Sequence, residues 1–567
     1  MISPVRLAPF GFTVLLLAPP AMRAAEPADL VFLSGQVYTV DAARSWAQAA
    51  AVRGNRIVYV GTNEGARAFI DNKTRVEDLA GKMLLPAFHD SHVHPLSAGV
   101  ELGRCPLYGV TSVEELKSRI RACAAAHPGD PWVVGRGWEL PLFPGANPDK
   151  AMLDELVPDR PALMSAADGH SAWVNSRALA LAKITKATPD PKDGRIERDS
   201  KTGEPSGTLR ESAADIVEAI LPETADRERR DGLAMAAEFL HRYGIVSVQE
   251  GHVDERDLEV YRDVDRAGKL NLRVLGAILV DPNKSPEQVA ELEKLRAKDW
   301  GPRVRATAAK IFADGVIESG TGALLEPYLA PRQGRGNLTL GPERFAALAT
   351  RLDRAGFQIH VHAIGDRAIR ATFDALQAAR QANGPRDARP ILAHIELFDP
   401  ADIPRFRELG AIADFQPLWA YADPYIRDLT EPVLGPARSR WLYPIASVVR
   451  TGAALAAGSD WSVSSPNPLE GMQVAITRCA PNGDACTPWI PEERVDLATM
   501  IAAYTIGGAY ASFEEKDSGS IEAGKLADLV ILDRNLFAIP PGELHKTKVL
   551  ATFFEGKEVF RETAPSR

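Results

Sequence analysis

Eight short, mostly apolar runs of strand length recur through the middle of the chain, at residues 83–88, 245–249, 272–279, 306–312, 357–362, 390–394, 411–415 and 453–457. Most intervals between them carry the 3.6-residue period of amphipathic helices, for example 344–355, 368–382 and 403–409. A strand that is apolar throughout is covered on both faces, and strands alternating with helices build a parallel sheet. Eight such units close on themselves, so the spacing predicts an α/β fold of the (β/α)8 TIM-barrel type. The first interval, from about residue 99 to 243, is far longer than one helix requires. It is expected to hold an insertion lying over the barrel mouth.

The two ends read differently. Short alternating strands are expected at 29–33, 36–40, 50–52 and 57–60, the last two joined by Gly54-Asn55, a hairpin signal. Segments of the same character return at 527–532, 549–554 and 559–560. These predict a small β-sandwich-like domain assembled from both termini, residues 26–82 and 506–567, around a barrel spanning 83–505. A chain of 567 residues exceeds what one core usually organises, which fits a large domain with a smaller one.

At the start, Arg6 precedes an apolar run at 10–18, and small residues follow in the segment Pro-Pro-Ala-Met-Arg-Ala-Ala. That is the order of a secretory signal, so residues 1–25 are expected to be a signal peptide and the mature protein to be periplasmic or secreted. The run is too short to span a bilayer, and no later segment reaches the ~20 apolar residues a span needs. Cys105 and Cys123 flank a helical-looking segment, and Cys479 and Cys486 enclose a short loop. Neither pair has the C-x2-C spacing of a structural zinc site, and their residues leave open either two disulfides or four thiols. The net charge of −9 is spread along the chain without a run of Lys and Arg, which leaves no footprint for nucleic acid or an anionic membrane.

Barrel active sites sit at the C-terminal ends of the strands. The first run leads into Phe88-His89-Asp90-Ser91-His92-Val93-His94. Side chains two apart on an extended segment point the same way, so His92 and His94 can approach one ion together. The fourth run contains Lys310, the fifth ends in His362, the sixth ends in His394, and the eighth is followed by Gly458-Ser459-Asp460. Singly, each has an ordinary explanation: a satisfied histidine, a lysine reaching solvent, a helix cap. Together, four imidazoles, one lysine and one carboxylate gather at one rim, and imidazole with carboxylate is the ligand set expected for zinc or a similar first-row ion. His360 shares a face with His362 and reads as a supporting or core residue. Trp138, His170, Trp173 and Asn175 in the insertion, and Trp419 just after Gln416-Pro417, are candidate walls of a substrate pocket, with plain aromatic packing as the alternative. The chain has no H-E-x-x-H, P-loop, G-x-G-x-x-G or G-x-S-x-G motif.

The order HxH, Lys, His, His, Asp resembles the amidohydrolase superfamily, and the details resemble its YtcJ-like branch, amidohydrolase family 3. The resemblance is carried by Leu85-Pro86-Ala87-Phe88-His89-Asp90-Ser91-His92-Val93-His94-Pro95, Asp168-Gly169-His170-Ser171-Ala172-Trp173-Val174-Asn175, Lys310-Ile311-Phe312-Ala313-Asp314-Gly315, His362-Ala363-Ile364-Gly365-Asp366 and Gly458-Ser459-Asp460-Trp461. One departure is Ala87, where Gly is usual. The resemblance implies that His92 and His94 hold the more buried ion with Asp460 nearby, and that His362 and His394 hold a second. It places Lys310 where many members carry a carboxylated lysine bridging two metals, so two Zn2+ ions are expected, with one ion beside an unmodified lysine as the alternative. It further implies hydrolysis of an amide-like C–N bond in a small organic substrate, as in N-substituted formamide deformylases, with Asp460 moving the proton. An isomerase or hydratase on the same scaffold, or a secreted non-catalytic regulatory protein, would carry much the same residues. The partner expected is a small molecule; association with further copies of the chain is left open.

Overall fold

The computed structural model describes residues 26–126, 128–330, 332–483 and 486–562, so the signal peptide expected at 1–25 lies outside the described residues. Eight strands form one sheet in strict chain order: β1 (Phe88–Val93), β2 (Ile245–Val253), β3 (Arg273–Leu279), β4 (Val304–Phe312), β5 (Gln358–Ala363), β6 (Ile391–His394), β7 (Ile412–Phe415) and β8 (Ala454–Ala457). Every neighbouring pair is parallel. β1 and β5 are buried along their whole length, as a strand enclosed by helices outside and side chains inside must be. The seam between β8 and β1 is drawn together just past the strand ends, where Asp460 N donates to His92 O at 2.7 Å and His94 N to Trp461 O at 2.9 Å. The result is a nearly closed TIM-type barrel.

The connecting helices follow their local signals. Glu255–Arg266 begins with a reciprocal capping box between Asp254 and Asp257, and Pro342–Arg354 starts on a proline whose missing N–H costs nothing in a first turn. No helix among the described residues is long and apolar enough to cross a membrane.

The run at 83–88 is divided rather than forming one barrel strand, which corrects the sequence reading. Met83–Pro86 pairs antiparallel with Leu529–Leu532 and parallel with Gln36–Tyr38 in a six-stranded sheet outside the barrel. Ala87 N still donates to Asp528 O, while Phe88 N donates to Gly244 O in the barrel. One apolar stretch therefore serves two sheets, because hydropathy marks burial and does not mark which neighbour supplies the hydrogen bonds. A four-stranded sheet containing Leu30–Leu33 packs on the six-stranded one through Leu30, Phe32, Val52, Leu84, Ile531 and Phe553.

Between β1 and β2 the chain builds a further six-stranded mixed sheet, ordered Gly194–Arg198, Pro205–Glu211, Ser171–Val174, Ala162–Ala166, Val133–Trp138 and Cys105–Pro106. It has its own apolar core, in which Trp138, Phe143, Met164 and Trp173 meet. Cys105 is bonded to Cys123 with their Cα atoms 5.6 Å apart, and Cys479 is bonded to Cys486.

Candidate metal centre

The rim residues come from strands far apart in sequence and meet because the barrel brings all its strand ends to one mouth. His92 lies near the end of β1 and His94 just beyond it. Lys310 lies in β4, His362 in β5, His394 at the end of β6, and Asp460 in the turn after β8. Strand register places Lys310 opposite His360, and Ala363 opposite His394.

Asp460 Oδ1 lies 3.2 Å from His94 Nε2 and 3.5 Å from His92 Nε2. One donor atom from each of these three residues falls within 4.8 Å of the others. Asp460 Oδ2 is 3.9 Å from His394 Nδ1, and Lys310 Nζ is 3.3 Å from His92 Nε2. The rings of His92 and His394 are 4.7 Å apart, and those of His362 and His394 4.5 Å apart. All six residues suggested by sequence thus face one small volume. Gly458 is required beside it, since a Cβ there would lie 2.6 Å from His92 N.

The far nitrogens of the rings are taken. His92 Nδ1 meets His360 Nε2 at 2.6 Å, His94 Nδ1 meets Glu250 Oε1 at 3.2 Å, and His394 Nδ1 meets Gln416 Oε1 at 2.9 Å. Metal-binding histidines characteristically use their second nitrogen this way, which fixes ring and tautomer. Burial, and then Lys310 and the neighbouring imidazoles, push the His92 pKa far below its ordinary value, leaving a neutral donor. Burial lowers that of His94 too, but hydrogen bonds to Asp460 and Glu250 outweigh it and raise the pKa to about 9. A cation at this place replaces that proton, so the donor set fits a divalent ion in charge as well as in geometry. Burial brings the Lys310 amine down to about 8.

Three supporting carboxylates escaped the sequence reading. Glu250 was missed because the second apolar run stops at 249, whereas β2 continues to Val253 and carries Glu250 to the rim. Asp314 accepts from the backbone N–H groups of Ala323, Ile364 and Gly365, tying the ends of β4 and β5 together 3.9 Å from His362. Glu211 holds His170 Nδ1 at 2.8 Å and sits at a positive φ of 48°. The only sign of Asp314 was its place in the segment following Lys310, and Glu211 left no local sign at all.

The candidate pocket residues separate into two groups. His170 lines the mouth, with its ring 5.2 Å from that of His362, and Trp419 stacks on His394 at 5.7 Å with an interplanar angle of 11°. Trp138, Trp173 and Asn175 are corrected from pocket wall to core of the insertion. Trp138 Nε1 donates to Met164 O, Trp173 Nε1 donates to Asp149 O, and Asn175 caps the helix Ser176–Leu181 while bracing Val157 and Arg160. The inserted sheet cannot share the barrel's core, so its largest side chains turn inward to make one.

A cavity of about 1230 Å³ opens on this rim and is lined by His92, His94, Lys310, His362, His394 and Asp460. A model of the amidohydrolase family matches residues 75–560. Protein LONG AFTER FAR-RED 3 of Arabidopsis thaliana is 31% identical over 97% of this chain and 94% of its own. The N-substituted formamide deformylase of Arthrobacter pascens is 30% identical over 93% of this chain and 97% of its own. Among solved structures, an uncharacterized metal-dependent hydrolase from Pyrococcus furiosus superposes with a TM-score of 0.69 at 26% identity, covering 89% of this chain and 99% of that one.

Proposed function

The chain belongs to the amidohydrolase family, and on that premise we propose that it is a metal-dependent hydrolase cleaving an amide-like C–N bond of a small organic substrate. The observation that carries the reading is the convergence of His92, His94 and Asp460 on one point at the edge of a ligand-sized cavity, each imidazole braced from behind. Zinc is the ion proposed, because neutral imidazole with carboxylate is its preferred environment. His92, His94 and Asp460 would hold the first ion. His362 and His394 would hold the second, and Lys310, carboxylated on its lowered-pKa amine, would lie between the two. When bound, such ions would supply a water of lowered pKa, ~7, and a Lewis acid for the scissile carbonyl.

The chain's own groups supply the rest. Asp460 lines the cavity and takes the proton of the attacking water, then returns it to the nitrogen of the departing amine. His170, held through Nδ1 by Glu211, keeps Nε2 free to donate to a substrate oxygen. Trp419, stacked on His394, walls the site where the acyl group would lie. A formamide is the first substrate to try, given the relative that acts on N-substituted formamides.

The test is Asp460→Asn assayed on N-formyl and N-acyl amines alongside metal analysis. We expect activity that chelation removes, about two zinc ions per wild-type chain, and a variant that keeps metal but loses ~10²–10⁴-fold in kcat. Full activity in the variant, or a purified protein that binds no divalent ion, would overturn the proposal.

A further inference from the structure

A second cavity, of about 580 Å³, opens from the same rim. Asp168, His170, His362, His394 and Asp460 line both. Its size falls within the ~300–1,000 Å³ of small-molecule sites. Beyond Trp419 at the rim its walls are largely aromatic, with Tyr421, Tyr425 and Tyr443 facing the space. Its remaining charged lining is acidic: Glu139, Glu318, Glu396 and Asp423, with neither lysine nor arginine among the described residues that line it.

The acids are held in place by neutral hydrogen-bond donors, with no lysine or arginine among the described residues of the lining beside them. Glu318 Oε1 accepts from Thr430 Oγ1 at 3.0 Å, Asp423 Oδ1 accepts from Ile426 N at 2.9 Å, and Glu139 Oε2 accepts from Tyr425 Oη at 2.7 Å. Glu396 is only 1% exposed, lines the chamber, and its Oε1 has no hydrogen-bond partner among the described residues. Burying one carboxylate in an apolar chamber is costly, and burying several together is more so, unless positive charge arrives to balance them. Burial already pushes Asp423 up to about 7, and the charges of Glu318 and Glu139 add to it. Aromatic faces also attract cations, since the ring quadrupole presents its negative side. Both halves of the lining therefore suit the same ligand group, a cation, which no lysine or arginine among the described residues of the lining supplies.

We infer that this chamber selects substrates whose amine-side arm carries a protonated amine. The acyl carbon would lie at the rim and the ammonium among the tyrosines, facing Glu318, Glu396 and Asp423. Glu396 follows His394 by two residues, so their Cα atoms are at most ~7 Å apart and a short arm suffices to reach from the rim to this acid. The substrate class is then an N-acyl or N-formyl derivative of a short diamine, one nitrogen acylated and the other protonated. This inference rests on the hydrolase reading for the reaction but not for the binding of the cation.

Calorimetric titration of the metal-loaded protein with phenethylamine and its neutral counterpart 2-phenylethanol, at pH 7.5, tests it without turnover. We expect the amine to bind at least tenfold tighter, and the paired substitutions Glu396→Gln and Asp423→Asn to reduce it to the level of the alcohol. Circular dichroism checks that the pair folds, and Glu318→Gln, expected to weaken the amine alone, serves in its place if it does not. Equal binding of the two probes by the wild type, or a preference that survives these substitutions, overturns the inference. The two readings fail separately. Turnover of neutral formamides without a cation preference leaves only the hydrolase, and a cation preference without turnover of any amide leaves only the ammonium site.

Discussion

His92 has no spare nitrogen. Nδ1 is pinned by His360, and Nε2 faces Lys310 and Asp460. His360 in turn is braced by Gln249, whose Nε2 lies 3.0 Å from its Nδ1. The ring proposed to hold a metal is therefore aimed by a buried chain of two residues behind it. Removing that support by His360→Leu should weaken zinc affinity by ~10–100-fold while the barrel still folds, as outer contacts of metal-bound histidines generally do. Competition against a chelator of known affinity measures it, and an unchanged affinity would show that His360 merely fills space. At this scale much was legible. The spacing of His92 and His94 fixes their common direction on an extended chain, and each other ligand candidate stands within, at the end of or just after its own apolar run. Glu211 was not legible, because nothing local distinguishes a carboxylate that will meet a histidine across a sheet from one that faces solvent.

At the scale of elements, the insertion is a structure in its own right placed against the barrel mouth. Its tryptophans were ambiguous in sequence between pocket and core, since an amphipathic indole suits both. Trp173 is fully buried among Trp138 and Phe143, 5.7 Å from the latter ring, with its N–H donated inside the insertion. Trp173→Ala should accordingly cost about 3–5 kcal/mol of stability, the range for deleting a large core aromatic, and leave zinc content unchanged. A chemical unfolding curve with parallel metal analysis checks both halves. Loss of zinc from a folded variant would mean that the insertion's core supports the rim directly. The strand at 83–86 teaches a related lesson. Its hydropathy matched a barrel strand, yet its hydrogen bonds run to Leu529–Leu532, because two consecutive buried strands look like one in the absence of a turn.

For the molecule as a whole, the buried histidines outside the rim predict how it meets acid. Burial pushes His89 down to about 3 and His241 down to about 4, while both return to about 6.5 in an unfolded chain. Between those values the unfolded state binds protons that the folded state refuses. The stability these two groups contribute is fully present above pH 6.5 and is lost as the pH falls toward 4 and then 3. Urea unfolding should therefore give a lower midpoint at pH 4.5 than at pH 7. The His241→Gln variant should lose less, its slope shallower by up to about 1.4 kcal/mol per pH unit. Identical slopes would remove His241 from the account.

What the sequence by itself determined was the set of local patterns: eight buried runs separated by helices, two histidines sharing one face, and chemically matched residues at later strand ends. These depend on periodicity and residue type, which act within a few positions along the chain. Only the tertiary structure decided that Asp460 N would bond His92 O and so close the seam at the candidate metal site, that β2 would run on to Glu250, and that Trp138 would turn inward. It alone gathered Glu318, Glu396 and Asp423 around an aromatic chamber. Such pairings depend on which backbone groups and side chains meet across the sheet and between layers, and the packing of the whole chain selects them.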